Sequence, residues 1–236
     1  MQVWTVRSTH FLGEATTASF HHSNIIRVYT TRQASWSYQD PHKSWQGHLD
    51  LSGAYPLQWY LAEYIPDGVD RGLDRGQLFS PDDTTSIAVQ ICDALSELHS
   101  ANPQVVHRDL DPGNILLADG DRAVVTDFGL ARMEGLPSAY IDEGPISHKG
   151  VGAPEQFAGE NGDRLTDIYQ LGALLVVMLT GKYHNQAGRD LLANRLDIPR
   201  SLSETILRCI QQNKADRFQS VVDLRTSLLG RVASAA

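Results

Sequence analysis

From about residue 80 onward, apolar residues recur every three to four positions, a spacing that predicts a mainly helical C-terminal two thirds. Ser80, Pro81 and Asp83 predict a helix start, with a hydroxyl at the N-cap and proline at the first helical position. Ile87, Ala88, Ile91, Leu95 and Leu98 then line one face as far as about Ser100. Val105-Val106, Ile115-Leu116-Leu117 and Ala123-Val124-Val125 read as short strands, the last two forming a hairpin over Ala118-Asp119-Gly120-Asp121. Residues 129 to 160 are rich in Gly, Pro, Ser and charge without a period, which predicts a long loop, and loops of that length in compact domains are usually functional. Asp167 opens a segment that is apolar nearly all round and stops at Gly181, the pattern of a helix buried in the centre of a domain. Ser201 with Glu204, and Ser220 with Asp223, predict two more starts, for helices carrying Ile206, Leu207 and Ile210, and Leu224, Leu228 and Leu229. In the first third, Phe11, Ala15 and Ala18 outline a modest helix containing Glu14, followed by strands over Ile25 to Tyr29 and Trp59 to Ile65. Between those strands, residues 30 to 56 form a polar insertion with scattered aromatics and no assignable period.

Composition narrows the class. With 236 residues, 42% hydrophobic and 20% charged, the chain can bury a core sized for one large domain or two small lobes, which excludes disorder, collagen and coiled coil. A net charge of −8 repels a phosphate backbone, so no nucleic-acid partner is expected. Cys92 and Cys209 sit on apolar helix faces, where thiols behave as small buried hydrophobes. The longest apolar stretch, Leu171 to Leu179, falls far short of the roughly 20 residues that span a bilayer, and the N-terminus has no signal-peptide pattern. The expectation is a soluble cytoplasmic protein without a membrane partner. The nine histidines, including His21-His22, form no metal-ligand set.

Chemistry concentrates in His107-Arg108-Asp109-Leu110-Asp111-Pro112-Gly113-Asn114, which sets a carboxylate and a carboxamide five positions apart on a turn leading into a strand. Thirteen residues after Asn114 comes Asp127-Phe128-Gly129, at the end of the next strand. Carboxylates and an amide delivered from neighbouring strand ends make a hard, oxygen-rich site suited to Mg²⁺, which binds through a few carboxylates plus substrate phosphates. Phosphoryl transfer needs such a site: metal to neutralise charge, and a carboxylate to orient the incoming hydroxyl.

These segments, followed by Ala153-Pro154-Glu155, resemble the protein-kinase signatures H-R-D-x-x-x-x-N, D-F-G and A-P-E. Asp167-Ile168-Tyr169-Gln170-Leu171-Gly172 is similar to the family's central helix, whose Asp anchors the catalytic loop, and Arg217 matches the arginine that pairs with the A-P-E glutamate, Glu155. Tyr60-Leu61-Ala62-Glu63-Tyr64-Ile65 resembles the strand and hinge that hold adenine, with Ala62 as gatekeeper and the backbone of Glu63 and Ile65 as contacts. His22-Ser23-Asn24-Ile25 resembles the stretch after the regulatory helix of bacterial-type Ser/Thr kinases, which makes Glu14 that helix's glutamate. The resemblance covers roughly residues 11 to 230. It implies an α+β, two-lobed protein kinase-like fold: residues 1–66 a reduced N-terminal lobe lacking the first strands and carrying the insertion 30–56, residues 67–236 a mainly helical C-terminal lobe with the catalytic and activation loops. It implies ATP and Mg²⁺ as cofactors, Asp109, Asn114 and Asp127 as catalytic residues, Asn114 and Asp127 as metal ligands, and Ala62, Glu63, Ile65 and Glu14 at the nucleotide. The substrate would be a Ser or Thr hydroxyl of a protein.

Three features depart from the family pattern. No G-x-G-x-x-G loop precedes Glu14, and the four lysines, Lys43, Lys149, Lys182 and Lys214, all lie downstream of it. Val3-Trp4-Thr5-Val6-Arg7 could be the lysine-bearing strand with Arg7 in the lysine's place, although Arg prefers planar bidentate partners. Asp111 stands where Ser/Thr kinases carry a lysine facing the transferred phosphate, and a unit charge pair about 4 Å apart is worth roughly 4 kcal/mol at an effective dielectric of about 20. The stretch from Ser147 to Gly152 lacks the usual Thr and Tyr, leaving Ser138, Tyr140 and Ser147 as candidate phosphorylation sites that Arg108 could read. The competing expectations are a catalytically impaired pseudokinase acting as a binding or scaffold module, and a chain whose missing strands come from upstream sequence or from a partner.

Overall fold

The computed structural model describes residues 2–6, 18–34, 57–119, 121–133, 150–183 and 186–230. Three strands open the chain. β1 (Gln2–Val6) and β2 (Val28–Ala34) flank β3 (Leu57–Ala62) in an antiparallel sheet of order β1-β3-β2, with Gln2 and Val28 both opposite Ala62 and a bulge between Val28 and Thr30. The expected strands at Ile25 to Tyr29 and Trp59 to Ile65 are thus displaced in opposite directions, because the pairing partner rather than the apolar run sets where a strand stops. Five residues of the unassigned insertion, 30 to 34, belong to β2.

The segment before β2 is sewn to the rest of the molecule through its backbone. Val125 N–H donates to Asn24 O (2.9 Å), and Ile26 N–H donates to Val125 O (2.9 Å). The buried Asn24 amide donates to Ala123 O (2.8 Å) and to Gln90 Oε1 (2.9 Å).

After β3 come the short α1 (Val69–Asp74) and α2 (Pro81–Ser100). The first of these has no side-chain cap and buries only Val69. The second starts as its residues dictate, with Ser80 Oγ accepting from Asp83 N–H at 3.0 Å. Its buried stripe of Thr84, Ile87, Ala88, Ile91, Cys92, Ala94, Leu95 and Leu98 packs on α4, α7 and the hairpin. β4 (Val105–Val106) pairs with β7 (Arg132–Met133), inside the stretch expected to be loop, and β5 (Ile115–Ala118) pairs with β6 (Arg122–Val125) as the expected hairpin.

α3 (Pro154–Phe157) and α4 (Arg164–Thr180) follow, then α5 (Gln186–Asn194), α6 (Arg200–Cys209) and α7 (Val221–Leu229). Every residue of α4 from Thr166 to Leu179 is buried, as its all-round apolar pattern requires. It begins three residues earlier than Asp167, capped by Asp163, which accepts from Leu165 N–H at 2.8 Å. Gly172 allows α6 to approach: a Cβ there would lie 2.4 Å from Cys209 Cβ and 2.9 Å from Ile210 Cγ2. Gly181 ends the helix in the left-handed region at φ 65°.

The Ser201–Glu204 start is displaced. Pro199 is the N-cap of α6, two residues before the expected one, so Ser201 lies inside the helix, and Glu204 instead accepts from Arg200 four residues before it (2.8 Å). Ser220 caps α7 as expected, accepting from Asp223 N–H at 3.1 Å. Both cysteines are buried, and burial pushes the Cys92 thiol far above its ordinary range. Among the described residues, no helix is long and apolar enough to cross a membrane. The expected helix around Glu14 and residues 35 to 56 lie outside the described residues.

Candidate active site

β4 delivers the chain into a loop whose backbone is held from the core side. Asp167, on buried α4, accepts from His107 N–H at 3.0 Å through Oδ2 and from Arg108 N–H at 2.7 Å through Oδ1. The His99 Nε2, at the end of α2, lies 2.8 Å from the same Oδ2. Gln170, one helical turn on, accepts from Leu110 N–H (3.1 Å) and donates to Arg108 O (2.8 Å); Gln156 of α3 donates to that same carbonyl at 2.9 Å. The loop can therefore hold a backbone that its own residues disfavour, with Arg108 at φ 69°.

Within the loop, His107 Nδ1 accepts from Asp109 N–H (3.3 Å), which leaves Nε2–H to donate to Thr126 O (3.0 Å). The imidazole packs edge-on against Phe128, centroids 4.7 Å apart. His107 thus ties the loop to the segment that carries Asp127. Asp111 accepts from Gly113 N–H (2.7 Å) and Asn114 N–H (3.1 Å), capping a single 3₁₀ turn over Pro112–Asn114. The turn brings the Asn114 amide onto Asp109, donating to its carbonyl at 2.8 Å and its Oδ2 at 3.2 Å. Asn114 O in turn accepts from Thr126 N–H at 3.0 Å, next to Asp127. Asp127 is exposed and held at φ 58°, its Oδ1 accepting from Gly129 N–H at 3.3 Å. Asp109, Asn114 and Asp127 are therefore linked through one turn and one strand end, with Asp109 and Asn114 buried and Asp127 facing out.

This donor set suits a cation that keeps waters and phosphate oxygens. Among the described residues no group of three or more His, Cys, Asp or Glu side chains is placed to enclose a metal, whereas carboxylates plus an amide oxygen match Mg²⁺ bound mainly through its substrate.

On the other side, Ala62 ends β3 fully buried, Ile65 is buried and Glu63 is half-buried. Glu63 N–H is committed to Arg27 O (2.9 Å). The Glu63 carboxylate meets Arg122 at 3.0 Å, and Arg122 also donates to Ser23 O (2.8 Å). Glu14, Arg7, Ser138, Tyr140 and Ser147 lie outside the described residues.

Glu155 and Arg217 form a buried bidentate pair, both bonds 2.8 Å, across 62 positions of sequence. Thr166 donates to Glu155 as well (2.8 Å), and Arg217 stacks over Tyr169 while donating to Gln211 O and Leu165 O. Burial works against the charged Glu155, but the hydrogen bonds from Arg217 and Thr166 outweigh it and hold the carboxyl below the usual glutamate range. Arg108 shows the reverse: burial, then the neighbouring Arg132 guanidinium, lower its pKa despite Asp167 and Asp109, and its buried Nε has no partner among the described residues.

Sequence reasoning missed His99, Gln156, Gln170 and Arg132. None carries a local signal for these contacts, which reach 24 to 68 positions along the chain.

A family model described as protein kinase domain matches residues 7–232. A probable serine/threonine-protein kinase of Clostridium acetobutylicum is 33% identical over 155 residues, covering 60% of this chain and 23% of that protein. Serine/threonine-protein kinase Pkn1 of Myxococcus xanthus is 29% identical over 205 residues, 76% of this chain and 28% of that protein. Serine/threonine-protein kinase PknB of Mycobacterium leprae is 25% identical over 228 residues, 90% of this chain and 34% of that protein. The matched regions thus span about a quarter to a third of these curated relatives.

Proposed function

The chain belongs to the protein kinase family, and from that membership we propose that it transfers a phosphoryl group from ATP to a serine or threonine hydroxyl of a protein substrate. Asp109 orients the hydroxyl and accepts its proton. Asn114 and Asp127 hold Mg²⁺, which when bound neutralises the charge of the phosphates. Ala62 leaves a roomy back pocket, the backbone of Glu63 and Ile65 contacts adenine, and Glu14 belongs to the regulatory helix. Residues 1–66 act as the reduced N-terminal lobe and residues 67–236 as the C-terminal lobe, with the nucleotide between them. Arg108, beside Arg132, would receive a phosphorylated residue of the loop before Ala153.

The observation that carries this reading is the Asn114 amide lying on Asp109 while Asn114 O bonds the residue before Asp127. Transfer from labelled ATP with Mg²⁺, to the protein itself and to generic protein substrates, tests it beside Asp109→Asn and Asp127→Ala. Loss of transfer in both variants is expected. Equal transfer by all three proteins would sink the assignment.

A second reading, a binding or scaffold module without turnover, draws on the position of all four lysines downstream of Glu14 and on the carboxylate at Asp111. Folded parent protein that transfers nothing while binding a protein partner would favour it.

A further inference from the structure

The family's lysine position, occupied here by Asp111, is where the catalytic loop departs most sharply in charge. Read from the sequence, the carboxylate opposes the phosphates. Its hydrogen bonds point elsewhere. Oδ1 accepts from Gly113 N–H at 2.7 Å and Asn114 N–H at 3.1 Å, and the Asp111 carbonyl also accepts from Asn114 N–H at 3.1 Å. We propose that Asp111 is a positioning residue: by capping the Pro112–Asn114 turn it fixes the direction in which Asn114 presents its side chain to Asp109 and to the metal. This rests on the kinase reading above.

The physical case has three parts. A three-residue 3₁₀ turn has almost no cooperativity of its own, so its geometry depends on whatever satisfies its first N–H groups. A charged acceptor does so more strongly than a neutral one, and the two N–H dipoles in turn partly neutralise the carboxylate. Then Asn114, with its amide on Asp109 and its carbonyl on Thr126 N–H, transmits any movement of the turn to both of the other site residues. A lysine at this position could not cap the turn, because an ammonium has no acceptor.

Gly113 offers an independent handle, since a Cβ added there would stand 3.2 Å from Asp111 Oδ1 and press on the cap without removing it. Its φ is not in the left-handed region, so alanine brings no backbone strain of that kind.

The test measures Mn²⁺ binding by electron paramagnetic resonance, with a non-hydrolysable ATP analogue present, alongside the Mg²⁺ dependence of transfer. Asp111→Ala is expected to weaken Mn²⁺ binding about tenfold, equivalent to about 1.4 kcal/mol, and to lower kcat more than it raises the KM for ATP. Asp111→Asn, which keeps an acceptor oxygen, restores most of the loss. Asp111→Lys behaves like Asp111→Ala despite its favourable charge. Gly113→Ala weakens Mn²⁺ binding in the parent but adds nothing in Asp111→Ala, the non-additivity of a shared interaction. Thermal unfolding of each variant separates a moved turn from a lost fold. If Asp111→Ala binds Mn²⁺ as the parent does, or if Asp111→Lys surpasses the parent, the carboxylate is no cap of consequence and the proposal is overturned. Parent protein that binds nucleotide analogue but no Mn²⁺ overturns the kinase reading itself.

Discussion

Two arginine–glutamate pairs each join distant parts of the chain, and they differ in nearly everything but chemistry. Arg217 and Glu155 have side-chain exposures of 0% and 4% and form a bidentate pair with further hydrogen bonds from Thr166 and to backbone carbonyls. Arg122 and Glu63 are 30% and 27% exposed and touch through one bond of 3.0 Å. The first pair ties α3, just before the helical core, to the segment ahead of α7; the second ties the end of β3 to the hairpin. The loop from His107 to Asn114, anchored by Asp167, Gln156 and Gln170, shares the first kind of environment. A buried network specifies one geometry because every misplaced group would be desolvated and unpaired, whereas a wet pair tolerates movement. Geometry is thus specified most tightly around the loop from His107 to Asn114 and less tightly between the end of β3 and the hairpin.

The sharpest way to break this contrast is to remove one partner from each pair. Arg217→Met is expected to lower unfolding free energy by about 3–5 kcal/mol, because it strands the Glu155 carboxylate in the core. Chemical denaturation measures it, and the double variant Arg217→Met with Glu155→Met should recover part of the loss. Full additivity of the two single losses would show that the pair acts as two unrelated side chains.

Asp167→Asn comes next. It keeps one acceptor oxygen but sets an amide donor against His107 N–H or Arg108 N–H, and a loss of about 2–3 kcal/mol is expected, with hydrogen exchange at those amides rising in step. Unchanged protection at both amides would contradict the anchoring role.

Acidification tests the buried pair in a third way. The folded-state Glu155 carboxyl lies below its ordinary value of 4.5, so its contribution to stability is complete above that value and is lost as pH falls through the lower folded-state value. The parent should therefore lose stability over that acidic range faster than Glu155→Gln does. Parallel stability curves for the two proteins would remove the linkage.

Smallest of all, Glu63→Gln should change stability by no more than about 1 kcal/mol, and high salt should erase the difference. A loss as large as that of Arg217→Met would end the comparison.

Much of this was legible in the chain. The serine caps of α2 and α7, the β5–β6 hairpin and the buried nature of α4 follow from neighbours within four positions, where side chain and backbone meet in any folded context. Asp109, Asn114 and Asp127 stand out for a related reason: their spacing along one turn and the following strands brings them into reach once the hairpin forms. The displaced elements mark where this logic ends. The ends of β2 and β3 depend on pairing, α1 is short and without a side-chain cap, and the Ser201 pattern was pre-empted by Pro199 one residue before the helix.

What the sequence determined by itself is the set of local structures and the residue types brought to the site, because hydrogen bonds spanning a few residues depend little on the rest of the molecule. Only the tertiary structure decided that Asp111 turns its charge onto its own loop and that Asp167 receives His99 from 68 positions away. Such choices hang on which groups are desolvated together. That is a property of the packed core, in which an unpaired polar group is costly enough to dictate its partner, and it cannot be read from any stretch of chain alone.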